Sequence, residues 1–333
     1  PPRSTLFPYT TLFRSTAILF GPFSTFFPEK VLDHQEIDFV VVGDPEIPIQ
    51  RLIALLNNKT AAEISLPPGI GGRMNGKAVI QPREHLANLD QLEFPDRHPI
   101  LNLAYFNPLA RTPKWTTSLT SRGCPGRCIF CTSPRFYGNA YRFTSVDWMI
   151  KEIKYLKSLG FNEVFYRDET FSANRRRLIE FCRRLIREKI KIKWIANVRA
   201  DMADLTLLKL MKRSGCHTLK VGVESGSQAI LDRLEKGITL RQISALFRNA
   251  RKIGLFTHAH MIVGGPGENY NTLQETRLFL KHIRPSTVTF NLFTPYPGSP
   301  FFDSIQDNVC HDPAFDLKFS QTLIKPLYFQ HIN

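Results

Sequence analysis

The sequence predicts an α/β protein: a partial barrel of six β/α units, preceded by part of a doubly wound α/β domain. Three observations predict it. From Lys114 onward, short apolar runs alternate with helical stripes at a regular interval, which implies a parallel sheet with helices outside it. Before that, residues 16–56 read as strand, loop, strand, helix, and the run 37–42 is nearly all apolar, as in a buried parallel strand. At the head of the regular region, Cys124, Cys128 and Cys131 share one short loop with the spacing Cys-x3-Cys-x2-Cys.

The elements follow in order. Residues 1–15 read like the translation of a sequencing-adapter oligonucleotide and are set apart from the fold, so the native reading starts near Thr16, inside a domain. Residues 16–60 form that domain's C-terminal part: a strand over 17–20 ending at Gly21 and Pro22, a short helix from Phe26, the 37–42 strand, and an amphipathic helix over 47–56. Residues 61–114 read as a connector, with turns at Pro67, Pro68 and Gly69, a short hairpin over 76–80 and an extended lead-in over 92–108. Residues 115–300 carry the barrel, and 301–333 an incomplete tail.

Within the barrel, Thr144 to Asp147 is a capping signature, and Val146, Met149, Ile150, Ile153 and Leu156 form the apolar stripe of the helix it opens. Strands are expected over 163–166, 193–198, 218–223, 257–263 and 286–293, with Gly160, Gly215 and Gly254 ending helices between them. With the cysteine-loop unit first, that makes six units. Sites in such barrels lie at the C-terminal ends of the strands.

The chain has 333 residues and a net charge of +15, part of it in bursts at 175–177, 183–184 and 189–193. Two readings stay open: solvated helix faces, or an acidic partner such as RNA, a phosphorylated substrate or an electron-donating protein. No aromatic-interleaved basic stripe or RNA-binding module supports nucleic acid. No apolar run is long enough to span a bilayer, and no secretory pattern opens the chain, so no membrane span is expected. Clustered cysteines without a disulfide framework fit a reducing compartment, hence the cytoplasm.

Three thiolates on one loop can hold three irons of a cubane and leave the fourth open, where such clusters normally take four cysteines. Gly123, Pro125 and Gly126 suit a tight wrap. A structural zinc site would want a fourth ligand, usually a second Cys-x2-Cys knuckle, and there is none. Cys182 sits on an apolar helix stripe, and Cys216 and Cys310 receive no role.

The spacing, with Phe130 before the third cysteine, resembles the signature of the radical S-adenosylmethionine (SAM) superfamily over about residues 115–300. The resemblance implies a [4Fe-4S] cluster on Cys124, Cys128 and Cys131, SAM chelated at the open iron, and reductive release of a 5′-deoxyadenosyl radical. It implies SAM contacts at strand ends. Asp168 and Glu169 would meet the amino group, Arg199 the carboxylate, and Glu224 and Ser225 the ribose and methionine end. Gly264, Gly265 and Gly267 would admit the adenine side, and Phe130 flanks the cluster. Arg199 could equally pair with Asp201 on the surface, and Asp168 and Glu169 could open a helix. Gly264 to Glu268 lacks the Gly-Lys-Ser/Thr ending of a phosphate loop, which excludes nucleotide hydrolysis. His258 and His260 alternate on a strand and share a face, either as structural residues or as a proton donor near substrate.

Residues 16–60 resemble the C-terminal half of the cobalamin-binding domain that precedes many radical SAM domains, through Gly21, Pro22, Thr25, Pro28, Glu29, Asp38, Val40, Val41 and Gly43. Phe20, Phe23 and Asp44 depart from that pattern, and no Asp-x-His-x-x-Gly element is found. Gly21, Thr25 and Gly43 are the positions implied for cobalamin. The resemblance then implies methylation of an unactivated carbon, or oxidative ring closure, of a small molecule, with a flavodoxin or ferredoxin as electron donor. Two other readings are a methylthiotransferase acting on transfer RNA and a non-catalytic protein with a structural metal. The former asks for three further N-terminal cysteines, and residues 16–114 hold none.

Overall fold

The computed structural model describes residues 15–58, 65–103, 105–138 and 140–309. The adapter-like opening, apart from Ser15, lies outside them, as do Cys310 and the rest of the tail. The chain divides into two compact units, one of residues up to Ala87 together with Arg135–Gly138, the other of the remainder.

The first unit holds β1 (Ile18–Leu19), α1 (Pro22–Phe26), α2 (Pro28–Leu32), β2 (Phe39–Val41), α3 (Glu46–Asn58), β3 (Ile70–Met74) and β4 (Lys77–Ile80). Its sheet runs β1-β2-β3-β4, with β1 and β2 parallel and the other pairs antiparallel. Val40 and Val41 are fully buried, as the apolar run requires. A hairpin forms over 70–80, starting earlier than the expected 76–80, which holds only the end of its turn and its second strand, and its first strand pairs with β2. Arg73 on β3 clips the hairpin down by donating to the carbonyl oxygens of Leu32 and, at 2.6 Å, Ile37.

The second unit opens with β5 (Trp115–Ser118), β6 (Ser121–Arg122), α4 (Ser133–Tyr137, shared in sequence with the first unit) and β7 (Arg142–Phe143). It continues through α5 (Val146–Ser158), β8 (Glu163–Tyr166), α6 (Arg175–Arg187), β9 (Lys193–Val198), α7 (Leu205–Arg213), β10 (Cys216–Glu224) and α8 (Gln228–Arg233). The last elements are α9 (Leu240–Lys252), β11 (Phe256–Val263), α10 (Tyr270–Ile283), β12 (Thr287–Leu292) and α11 (Pro300–Val309). Six strands make one parallel sheet in the order β12-β11-β10-β9-β8-β5, the curled half-barrel that the alternation predicts. Sequence order equals spatial order because each strand returns through a helix on one side.

One sheet face carries the core: Val164, Tyr166, Trp194, Ala196, Val198, Leu219, Val221, Val223, Ala259 and Met261 pack with the helix stripes. Leu178, Cys182 and Leu185 of α6 belong to that core, as the stripe implies. In a strand the alternate residues point the other way, so Asn197, Lys220, His258, Thr287 and their neighbours face the lumen. At α5 the cap is Ser145, which accepts from the Trp148 N–H at 3.1 Å. Thr144 is one residue too early, and its carbonyl is instead taken by Arg177 at 2.8 Å. Gly215 ends the turn after α7 with φ +108°, where a Cβ would lie 2.0 Å from the Ile192 carbonyl oxygen.

Candidate functional site

The cysteine loop leaves β6 and is pinned from several sides. Asp168, at the end of β8, accepts from the Thr120 N–H (2.7 Å), the Thr120 hydroxyl (2.8 Å) and the Ser121 hydroxyl (2.5 Å). Arg177 donates to the Thr120 carbonyl at 3.0 Å, so both chain directions of the loop's lead-in are held. At the far end, Ile129 donates to the Leu234 carbonyl (3.1 Å) and accepts from Phe301 (2.9 Å). Phe130 packs beside Ile230, Leu234 and Phe293.

Around the loop stand residues from the strand ends. Thr170 is 3.3 Å from Cys124 Sγ. A Cβ on Gly126 would lie 3.1 Å from Arg199 Nη1, 3.5 Å from Cys124 Sγ and 3.8 Å from Cys128 Sγ, so the glycine lets a guanidinium lie against two thiols. Arg199 does pair with Asp201, at 3.1 Å, yet it also donates to the Lys236 carbonyl at 3.1 Å. The pairing with Asp201 is thus observed, and it leaves the guanidinium beside the cysteine loop. Glu224 sits at a register shift in β10 with φ 65°, a costly conformation for a non-glycine residue. It accepts from Lys236 Nζ at 2.6 Å, with both side chains buried. That ammonium also lies 5.8 Å from the Phe130 ring centroid.

The electrostatics follow from burial. Burial pushes the Cys131 thiol up to about 11, against a hydrogen bond from Ser133, and raises Cys128 in the same way. Such thiols stay protonated until a metal displaces the proton. Burial, reinforced by Asp168, pushes Glu169 up to about 7. Its Oε2 is buried with no hydrogen-bond partner, an orphaned acceptor beside the loop. For Lys236, burial works to lower the pKa, and the adjacent Glu224 more than offsets it, so the ammonium stays charged.

Five of the expected contact positions are engaged by residues of this chain. Asp168 is fully buried and its oxygens are occupied by Thr120 and Ser121, so it is a strut for the loop; Glu169 alone offers a free acceptor. The pair lies in the loop before α6, whose cap is Asn174, and does not open that helix. Ser225 is fully buried, with its hydroxyl 3.2 Å from that of Thr276 and accepting from the Ser227 N–H at 3.1 Å. Gly267 leaves room for Arg233, whose guanidinium would lie 2.2 Å from a Cβ there, and Gly264 donates its N–H to Glu268. Gly265 is buried against Leu234 and Phe293. Sequence reasoning missed Lys236 and Thr170. No spacing rule marks Lys236, which lies between two helices rather than after a strand.

The donor set fits a cluster better than a single ion. One ion needs each thiolate at about 2.3 Å from a common centre. Among the described residues, no three His, Cys, Asp or Glu side chains converge in that way. The three thiols are still near enough to act on one another's ionisation, and three irons ask for three separate thiolates. In the first unit, the Thr25 hydroxyl donates to the Gly21 carbonyl (2.8 Å) and accepts from the Gly43 N–H (3.0 Å), joining the three positions implied for cobalamin. Phe20 and Phe23, the two aromatic departures from the family pattern, are 59% and 54% exposed.

Residues 118–280 match the model of the radical SAM superfamily. The chain is 32% identical over 289 residues to an uncharacterised methyltransferase of Pyrococcus horikoshii, covering 86% of this chain and 62% of that protein. It is 28% identical over 321 residues to the anaerobic magnesium-protoporphyrin IX monomethyl ester cyclase of Rubrivivax gelatinosus, covering 93% and 56%. The chain thus spans roughly three fifths of these relatives. Among solved structures, the radical SAM methyltransferase TsrM of Kitasatospora setae superposes with TM-score 0.73 at 18% identity, over 89% of this chain and 58% of that one. The cobalamin-dependent SAM radical enzyme OxsB gives 0.67 at 20%, over 91% and 43%. At these identities the structures speak for the fold. Among the described residues, no helix is long and apolar enough to cross a membrane.

Proposed function

We propose that this chain, a member of the radical SAM superfamily, acts as a SAM-cleaving enzyme whose cluster is held by Cys124, Cys128 and Cys131. When bound, a reduced [4Fe-4S] cluster supplies the electron that splits SAM and yields a 5′-deoxyadenosyl radical. Two observations carry the reading: the orphaned Glu169 carboxylate, near enough to Cys131 to act on its ionisation, and the Arg199 guanidinium lying by Gly126 with the Cys124 and Cys128 thiols. A carboxylate and a guanidinium at one loop suit the amino and carboxylate groups of an amino acid.

The chain's own residues then have separate tasks. Asp168 and Arg177 fix the loop's lead-in. Glu169 and Arg199 orient the ligand's zwitterion. Lys236 and Arg199 place positive charge beside the thiols, which favours their deprotonated form. Phe130 and its apolar neighbours keep water from the cluster side. The Glu224–Lys236 pair buttresses the wall next to Cys128.

The outcome we favour is methylation or oxidative ring closure of a small molecule, supported by relatives named as a methyltransferase and a cyclase. Cobalamin at Gly21, Thr25 and Gly43 is supported by the hydroxyl bridge joining them and by TsrM and OxsB, whose structures hold cobalamin. A flavodoxin or ferredoxin as donor and a cytoplasmic location complete the reading. The test is anaerobic incubation of the reconstituted chain with dithionite and SAM. Release of 5′-deoxyadenosine that depends on Cys128 supports it; none in the parent chain rejects it.

A further inference from the structure

The lumen carries a second group of polar residues, apart from those assigned above to the cluster and SAM. Lys220 on β10 is in register with Asn197 on β9 and His258 on β11, so all three point to the lumen. His260, two residues on, shares that face, and the two imidazoles stand 4.6 Å apart edge to face. Both are held from the next strand. His258 lies 2.8 Å from the Thr287 hydroxyl and 3.2 Å from that of Thr289, and His260 Nδ1 lies 3.0 Å from the Thr289 hydroxyl. His260 Nε2 has no partner among the described residues, and neither does the Lys220 ammonium. Arg167, which follows β8, is near enough to depress Lys220 further, after burial.

The charge balance is one-sided. The charges acting on Lys220 and His258 are all positive: Arg167 on the first, Lys220 on the second. The nearby carboxylate of Glu224 is already spent on Lys236. A half-buried ammonium with a guanidinium neighbour and no acid costs free energy that water only partly offsets. Sheet hydroxyls hold the imidazoles in fixed positions, so the group is preorganised to donate hydrogen bonds into the concave space.

We infer that Arg167, Lys220, His258 and His260 form an oxyanion-binding subsite, and that the substrate is a small molecule bearing a carboxylate or a phosphoryl-type group seated there. Calling the anion a substrate rests on the SAM-cleaving reading; the existence of the subsite does not. Lys220 and Arg167 neutralise the anion, His260 Nε2 donates to a second oxygen, and His258 braces its neighbour.

The test uses the full chain without reconstitution, at fixed ionic strength, with inorganic phosphate and succinate as probes against chloride. At tenfold excess over its dissociation constant, the preferred probe should raise the unfolding midpoint by about 3 °C. Phosphate above succinate points to a phosphoryl-type group, and the reverse to a carboxylate. The rise should vanish in Lys220→Gln, shrink in the exposed Arg167→Gln, and persist in Arg176→Gln on the outer helix face. No rise with either probe, or a rise equal in all variants, overturns the subsite and assigns any effect to the general basic surface. Loss of 5′-deoxyadenosine formation alone, with anion binding intact, would fail the SAM reading and leave the subsite standing.

Discussion

Replacing Glu169 by glutamine should make the protein more stable at pH 8 while weakening its binding of SAM. The carboxylate's ordinary value is 4.5, and burial pushes it up to about 7. A raised carboxylate destabilises the folded state only when ionised. The penalty is therefore absent below about pH 4.5 and complete above about pH 7. The gap, at about 1.4 kcal/mol per pH unit, sets a ceiling of about 3 kcal/mol. Glutamine leaves a polar group in the same partnerless place, which returns part of that, so we expect a gain of about 1–2 kcal/mol at pH 8 and none at pH 4.5. Urea unfolding of parent and variant at the two pH values measures it. Glu152, also pushed up to about 7 by burial, contributes to both proteins and cancels in the difference. On anaerobic reconstitution, Glu169→Gln should take up cluster normally and bind SAM at least tenfold more weakly. A variant less stable at pH 8, or one with unchanged SAM affinity, would refute the assignment of Glu169 as the free acceptor.

The neighbouring carboxylate behaves in the opposite sense. Asp168→Asn sets an amide donor against the donors of Thr120 and Ser121, and should cost about 3–5 kcal/mol in urea unfolding and lower cluster occupancy. Lys236→Met strands the buried Glu224 carboxylate and should cost about 3–5 kcal/mol, while adding Glu224→Gln should recover more than half; a double-mutant cycle in urea measures this. Gly215→Ala, with its Cβ 2.0 Å from the Ile192 carbonyl oxygen, should lower the thermal midpoint by about 6 °C or more, measured by circular dichroism.

Much of the barrel was legible because its strands are apolar runs set between glycine-terminated helices. Strands β8 and β9 fall on the expected residues, and the other three expected strands differ by one or two residues at their ends. The cysteine loop was legible from spacing alone. What the sequence does not show is which of two adjacent residues points where. Asp168 and Glu169 look alike in a row of letters, but alternation along the chain turns one into the lead-in strands and leaves the other open. Ser225 lies at a strand end as a ligand contact should, yet Thr276, fifty-one residues later, takes its hydroxyl. Gly267 marks a close approach, but the approaching group is Arg233 of this chain. The lumen cations depend on register between strands, which period-two patterns cannot supply, and Lys236 sits on a link between two helices that no strand pattern marks.

The central claim is an iron–sulfur cluster with one iron open to SAM. It is tested most directly by electron paramagnetic resonance of the anaerobically reconstituted, reduced chain, with and without SAM. The account predicts a [4Fe-4S]+ signal that shifts on adding SAM and is lost in Cys128→Ala. A chain that takes up no cluster, or whose signal is indifferent to SAM, would contradict it.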